Sequence, residues 1–162
     1  MTNEQSIKDW FVAEVRERMD DLGLRPYHMA YFCRMNHNSI HTYLHGASLP
    51  NLWVLVLMAE HLDCCVNDLL GFDEVDDPGV FEMYKASTLF YDEKQFAGCF
   101  ADRIQRYMHN RDITIEELSR RSDISVTTIK RWLSKYPRLP RTSDFLRICD
   151  ALDCTPSELL GY

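Results

Sequence analysis

The chain has 162 residues, 46% of them hydrophobic, and a formal charge of −7. That length holds one ordinary domain or two small ones, and that apolar content excludes a globally disordered chain. The longest uninterrupted apolar run, 52–59, falls far short of the about 20 residues that cross a bilayer, and the acidic balance argues at first sight against a polyanionic partner.

The N-terminal stretch MTNEQSIKDW lacks a basic-then-apolar signal pattern. A soluble, cytoplasmic chain is expected, with its six cysteines reduced. FVAEVRERM, from Phe11, opens the helical pattern. NHNSIHTYLHG follows as a short helix capped by Asn36 and stopped at Gly46. His37, His41 and His45 recur every four residues on one face of it. That stripe reads either as a solvated polar face or as a set of metal ligands, with His61, Cys64 and Cys65 as a second, weaker ligand cluster. The segment DEVDDPGVFEMYKASTLFY then reads as an acidic, aromatic connector.

Beyond it, Phe96, Phe100, Ile104 and Met108 are spaced by four, an amphipathic helix. Thr114 with Glu117 predicts a capping box and the start of a helix that turns Ile115 and Leu118 inward. Asp123 falls in a turn, and Ser125 caps the next helix, whose inner face is Ile129, Trp132 and Leu133. Val126, Thr127, Lys130, Arg131 and Ser134 stay outside. Thr142 or Ser143 opens a fourth helix with Phe145, Leu146, Cys149 and Leu152 as its core stripe. Thr155, Pro156 and Glu158 start a fifth.

An internal repeat underlies this order. FVAEVRERM aligns with FADRIQRYM at an offset of 89, which also pairs Met29 with Leu118, Ile40 with Ile129 and Leu44 with Leu133. After one inserted residue the offset is 90, pairing Pro50 with Pro140 and LDCCVNDLLGF with LDCTPSELLGY. The expected layout is an all-α chain of two five-helix modules, 1–72 and 92–162, joined by 73–91. Charge is divided unevenly: residues 73–99 carry −5, whereas residues 100–162 carry +2. The acidity sits mostly around the connector, so net charge does not exclude DNA.

Thr114, Ile115, Leu118, Ser119, Asp123, Ser125 and Ile129 follow a known pattern. Both halves resemble the phage-repressor-like (lambda repressor/Cro, XRE-type) helix-turn-helix family. Two departures stand out, Ile115 where the family has Gln and Asp123 where it has the turn glycine. The resemblance implies that the second helix of each motif enters the major groove of double-stranded DNA. It places Val126, Thr127 and Arg131 at base-reading positions and Ser125 at a phosphate. Lys130, Lys135, Arg138 and Arg141 surround that helix as phosphate-neutralising charges. In the first copy the corresponding positions are Asn36, His37, Asn38 and Thr42, with no Lys or Arg among them.

The copies also differ on their surfaces. Tyr27, Tyr31 and Phe32 stand where the second copy has charged residues. Trp53, Val54 and Leu57 stand where it has Ser143, Asp144 and Arg147. An apolar area of that kind calls for cover, either between the repeats or in a homodimer. The resemblance implies the dimer, since such domains often dimerise near this helix. No Gly-rich phosphate loop, metalloprotease helix or nucleophile elbow occurs, so neither an enzyme, a cofactor nor a small-molecule substrate is expected. The expected function is a sequence-specific DNA-binding transcriptional regulator. Its rivals are a protein-interaction regulator or antirepressor on the same frame, and a metal- or thiol-responsive sensor.

Overall fold

The computed structural model describes residues 4–72 and 92–161. The proposed connector, 73–91, lies outside the described residues. Among those described, ten helices follow in order: α1 Glu4–Asp21, α2 Pro26–Phe32, α3 His37–Leu44, α4 Leu52–His61, α5 Val66–Leu70, then α6 Glu93–Asn110, α7 Ile115–Ser122, α8 Val126–Trp132, α9 Thr142–Ala151 and α10 Pro156–Leu160. The fold is all-α. None of the described helices is long and apolar enough to cross a membrane.

Spacing by four builds both long helices. Ile7, Phe11, Val15 and Met19 form the buried stripe of α1, and Phe96, Phe100, Ile104 and Met108 that of α6. Around them one continuous buried cluster runs from Ile7 through α4 and α5 to Phe145, Leu152 and Leu160. The core stripe of α9 differs from expectation in one place. Ile148 is fully buried, while Leu146 only packs on the edge, because the helix turns its 145–148–152 line inward.

Chain reversals fall at matching places in the two halves. Positive φ occurs at Gly23 and Asp112, Arg34 and Asp123, Asp63 and Asp153, and Gly71 and Gly161. Gly46 has a positive φ with no counterpart, and it lies where the offset changes. Aspartate reaches the left-handed region through local hydrogen bonding, but Arg34, at φ 53°, has no such aid. Arg34→Gly should therefore raise stability by about 0.5–1 kcal/mol, the left-handed penalty relieved less the added chain entropy. The check is an increased urea midpoint at unchanged slope.

The caps also pair. Cys65 and Asp68 close a reciprocal box at the start of α5, and Thr155 and Glu158 do so for α10. One expected cap turns out otherwise. Thr114 accepts the Glu117 N–H at 3.2 Å, but the Glu117 carboxylate turns away to Arg120 and Arg121, leaving half a box. Thr142 opens α9 without capping it. Its buried hydroxyl donates instead to the Pro50 carbonyl in the first half.

The two halves meet along α4–α5 and α9–α10. Asn51 and Arg141 form an antiparallel backbone bridge. The Asn67 N–H donates to Ser157 Oγ at 3.3 Å, and the Ser157 N–H donates to Asn67 Oδ1 at 3.0 Å. Both side chains are buried, so each satisfies a polar group that water cannot reach. The Trp53 and Phe96 rings, 5.2 Å apart, add an aromatic contact across the same boundary.

Candidate nucleic-acid interface

Helices α7 and α8 are joined by a single tight turn. Asp123 ends α7 in the left-handed conformation. Its carbonyl accepts a 3.1 Å hydrogen bond from Arg147 of α9, whose other nitrogen is held by Asp144 at 2.7 Å. The angle between the two helices is thereby tied to α9. Ser125 then caps α8, accepting the Thr128 N–H at 3.2 Å and sharing a hydroxyl contact with Thr128 at 2.8 Å. Ile129 and Trp132 anchor the inner face, with Leu133 partly buried at the helix end. The outer face presents Thr127, Lys130 and Arg131 to solvent, with Val126 half-buried beside them. Ile115, half-buried, lines with Leu133 and Lys130 a cleft of about 420 Å3 beside α8. An apolar side chain suits that cleft, where the expected family pattern has a polar one.

Basic residues in this half fall into two groups. Arg120 and Arg121 both grip Glu117, at 2.6 and 2.7 Å, and pull its carboxyl down to about 2. Arg147 is held by the turn and Asp144, and Arg103 by the Leu159 carbonyl at 2.9 Å. By contrast, Lys130, Arg131, Lys135, Arg138 and Arg141 are exposed, and among the described residues none of them is paired with a carboxylate. Lys135 rests over the Tyr136 ring, 5.6 Å from its centroid. Lys94 and Arg106 on α6 are also exposed and unpaired among the described residues, but five of the unpaired cations gather on α8 and the segment that follows it.

In the first half α2 and α3 are also two short consecutive helices, with different chemistry. Asn36 caps α3, accepting the Asn38 N–H at 2.8 Å. His37, Asn38 and Thr42 are exposed, and the Thr42 hydroxyl donates to the Asn38 carbonyl at 3.0 Å. The His37, His41 and His45 rings follow one another at 4.4 and 6.1 Å. Among the described residues no three His, Cys, Asp or Glu side chains converge as metal ligands. The second ligand cluster is dispersed into structural roles. His61 stacks on Phe32 at 4.4 Å, Cys65 caps α5, and burial pushes the Cys64 thiol up to about 12.

The apolar residues of α4 are not an open surface. Val54 and Leu57 are buried within the chain, and Trp53 packs on Phe96. Leu57 corresponds to Arg147 in the second half, where an ionic tie holds the helix turn. Leu57 fills that place with hydrocarbon. Of the two covers expected for these three residues, between the repeats or in a homodimer, the contact of Trp53 with Phe96 is of the first kind, and burial leaves little of Val54 and Leu57 to offer a second chain. Tyr27 and Tyr31 do remain open, 58% and 81% exposed, and Phe32 is half-buried between Tyr31 and His61.

Sequence reasoning named the outward residues of α8 but missed Asn67, Ser157 and Thr142, which join the halves. For Asn67 and Ser157 the signal was a polar residue at aligned positions in both halves; Thr142 aligns with Leu52 and gave none.

Comparison with known families bears on the second half. Residues 103–162 match the Cro/C1-type HTH DNA-binding domain. The match runs from within α6 to the end of α10 and so contains the α7–turn–α8 unit whole. It supports, in general terms, a DNA-binding transcription regulator. Neither a curated protein nor a solved structure matches the chain.

Proposed function

We propose that this protein is a sequence-specific transcriptional regulator that places α8 in the major groove of double-stranded DNA. The observation that carries the reading is the segregation of its cations. Arg103, Arg111, Arg120, Arg121 and Arg147 are tied to carboxylates or carbonyls, while Lys130, Arg131, Lys135, Arg138 and Arg141 are left facing solvent on α8 and the segment after it, and Arg106 stands alone on α6. Arg131, with its planar fork, suits guanine O6 and N7, and Val126 suits a thymine methyl. Thr127 lies beside them, and Ser125 suits a phosphate at the helix start. The other four cations neutralise the backbone. In this reading residues 92–162 are the DNA-binding module, 1–72 a second copy of the same frame, and 73–91 the link between them.

Selection of duplexes from a random library, followed by a salt titration, tests the reading. Lys135→Ala should weaken selected and random duplexes alike and reduce the slope of log K against log salt by about 1. A change in base preference with an unaltered slope would instead put Lys135 at a base edge.

A second reading has its own support. Exposed Tyr27 and Tyr31 occupy the places of Glu116 and Arg120, and α3 carries no Lys or Arg. A protein-binding regulator that keeps the frame without gripping DNA would look like this in its first half. Failure of the library to enrich any duplex favours that reading.

A further inference from the structure

We infer that the two halves form a built-in pseudo-dimer, so that a single chain reads two unlike half-sites on one duplex, α8 taking one and α3 the other. The inference rests on the groove reading of α8 and extends it to the first half.

An interface of two-fold character has a recognisable signature: residue i of one unit touches residue j of the other, and j touches i in return. Here Asn67 and Ser157 occupy the same position in their respective halves and exchange N–H donors with each other's side chains. Asn51 and Arg141, also equivalent, pair backbone to backbone in antiparallel fashion. A residue can meet its own equivalent only close to a local two-fold axis. Two such self-matching pairs, on different elements, define the axis direction. The rotation that exchanges these pairs also exchanges α4 with α9 and α5 with α10, and therefore α3 with α8. The proposed pseudo-dimer requires the two outward helix faces to share one side of the molecule, in inverted orientation, so that one duplex can meet both.

Other contacts between the halves are not symmetric. Thr142 reaches the Pro50 carbonyl, and Trp53 stacks against Phe96, where the equivalent residues differ in type. Since the cluster of buried residues is continuous across the boundary, the spacing of α3 and α8 is set by packed side chains rather than by the length of residues 73–91. A second copy of the chain is not needed to supply a second half-site.

The half-sites must differ. Around α8, Arg131 and its neighbouring cations favour a guanine flanked by strong phosphate contacts. On α3 the exposed groups are His37, Asn38 and Thr42, of which Asn38 has the donor–acceptor pair that fits adenine N6 and N7. Because α3 carries no Lys or Arg, its half-site adds base preference with little salt dependence.

The test uses the full chain and duplexes selected from a random library. The expected product is one chain per duplex, with a footprint over two inverted, unlike half-sites. Scrambling the half-site that does not depend on Arg131 should cost about 5- to 150-fold in affinity, and Asn38→Ala should abolish that sensitivity. Asn38 contributes only its backbone to local hydrogen bonds, so the variant should fold. Inserting about 5 or about 10 base pairs between the half-sites should be equally damaging, because a rigid interface cannot follow. A footprint over one half-site that still depends on Arg131 overturns the inference and leaves the α8 reading intact. So does recovery of affinity at the about 10-base-pair insertion, the behaviour of two independently tethered modules, or two chains per duplex. Loss of Arg131 dependence together with absence of any selected sequence overturns the α8 reading itself.

Discussion

Arg131→Ala is expected to weaken binding to a selected duplex by about 5- to 150-fold, the loss of a bidentate guanine contact worth about 1–3 kcal/mol. The side chain is exposed on the outer face of α8, and no carboxylate among the described residues competes for it. Its planar fork reaches a base edge without first giving up an ion pair. Preference should relax at one base pair, because the other outward residues of α8 are unchanged. Arg120→Ala is the matched control. Arg120 lies on α7 and is already bound to Glu117, which Arg121 continues to hold after the change. Its removal should leave affinity and preference nearly as they were. An equal loss on selected and random DNA would make Arg131 a backbone contact. No loss at all would take α8 out of the groove.

Some of this arrangement is legible in the amino-acid sequence, and the boundary is a physical one. The stripes of α1 and α6 follow from four-residue spacing, which any helix converts into a face. Ser125 and Thr155 cap because a hydroxyl just before an apolar helical run has one good use. Asp123 in a left-handed turn is equally accessible, whereas Arg34 in the corresponding turn is not, since arginine has no local preference for that conformation. The pairing of cations is legible too, in part. Glu117 stands three and four residues before Arg120 and Arg121, and Asp144 three before Arg147, whereas no carboxylate lies within four residues of Arg131; only the bond from Arg147 to the Asp123 carbonyl needs the three-dimensional structure. The burial of α4 is not legible in that way. Reading Leu57 against Arg147 suggests an apolar patch in place of a polar one, but Leu57 lies within the buried cluster. The exposed position in one half has become a buried one in the other.

Leu57→Arg tests that exchange, and it carries the largest expected loss of stability. Leu57 is 4% exposed and belongs to the continuous core, whereas the Arg147 side chain at the equivalent place is 44% exposed and has Asp144 beside it. In the first half the residue matching Asp144 is Val54, itself buried, so an arginine at position 57 finds no carboxylate there. Truncating a buried leucine costs about 2–5 kcal/mol from the lost contacts and the cavity alone. An unpaired buried charge adds a further penalty of several kcal/mol, unless the side chain escapes by disrupting the packing of α4. Against a total stability of about 5–15 kcal/mol for a folded domain, the variant should lose most of its helicity or unfold at a much lower urea concentration. Trp53→Ser should be milder, since Trp53 is only half-buried and its loss removes mainly the contact with Phe96. The double change Val54→Asp with Leu57→Arg transplants the Asp144–Arg147 pair and should recover part of the loss, by giving the charge its partner. The outcome that would reverse this account is a Leu57→Arg chain of normal helicity and urea midpoint that changes only its oligomeric state. Such a chain would place Leu57 between two molecules and restore a homodimer as the owner of the α4 surface.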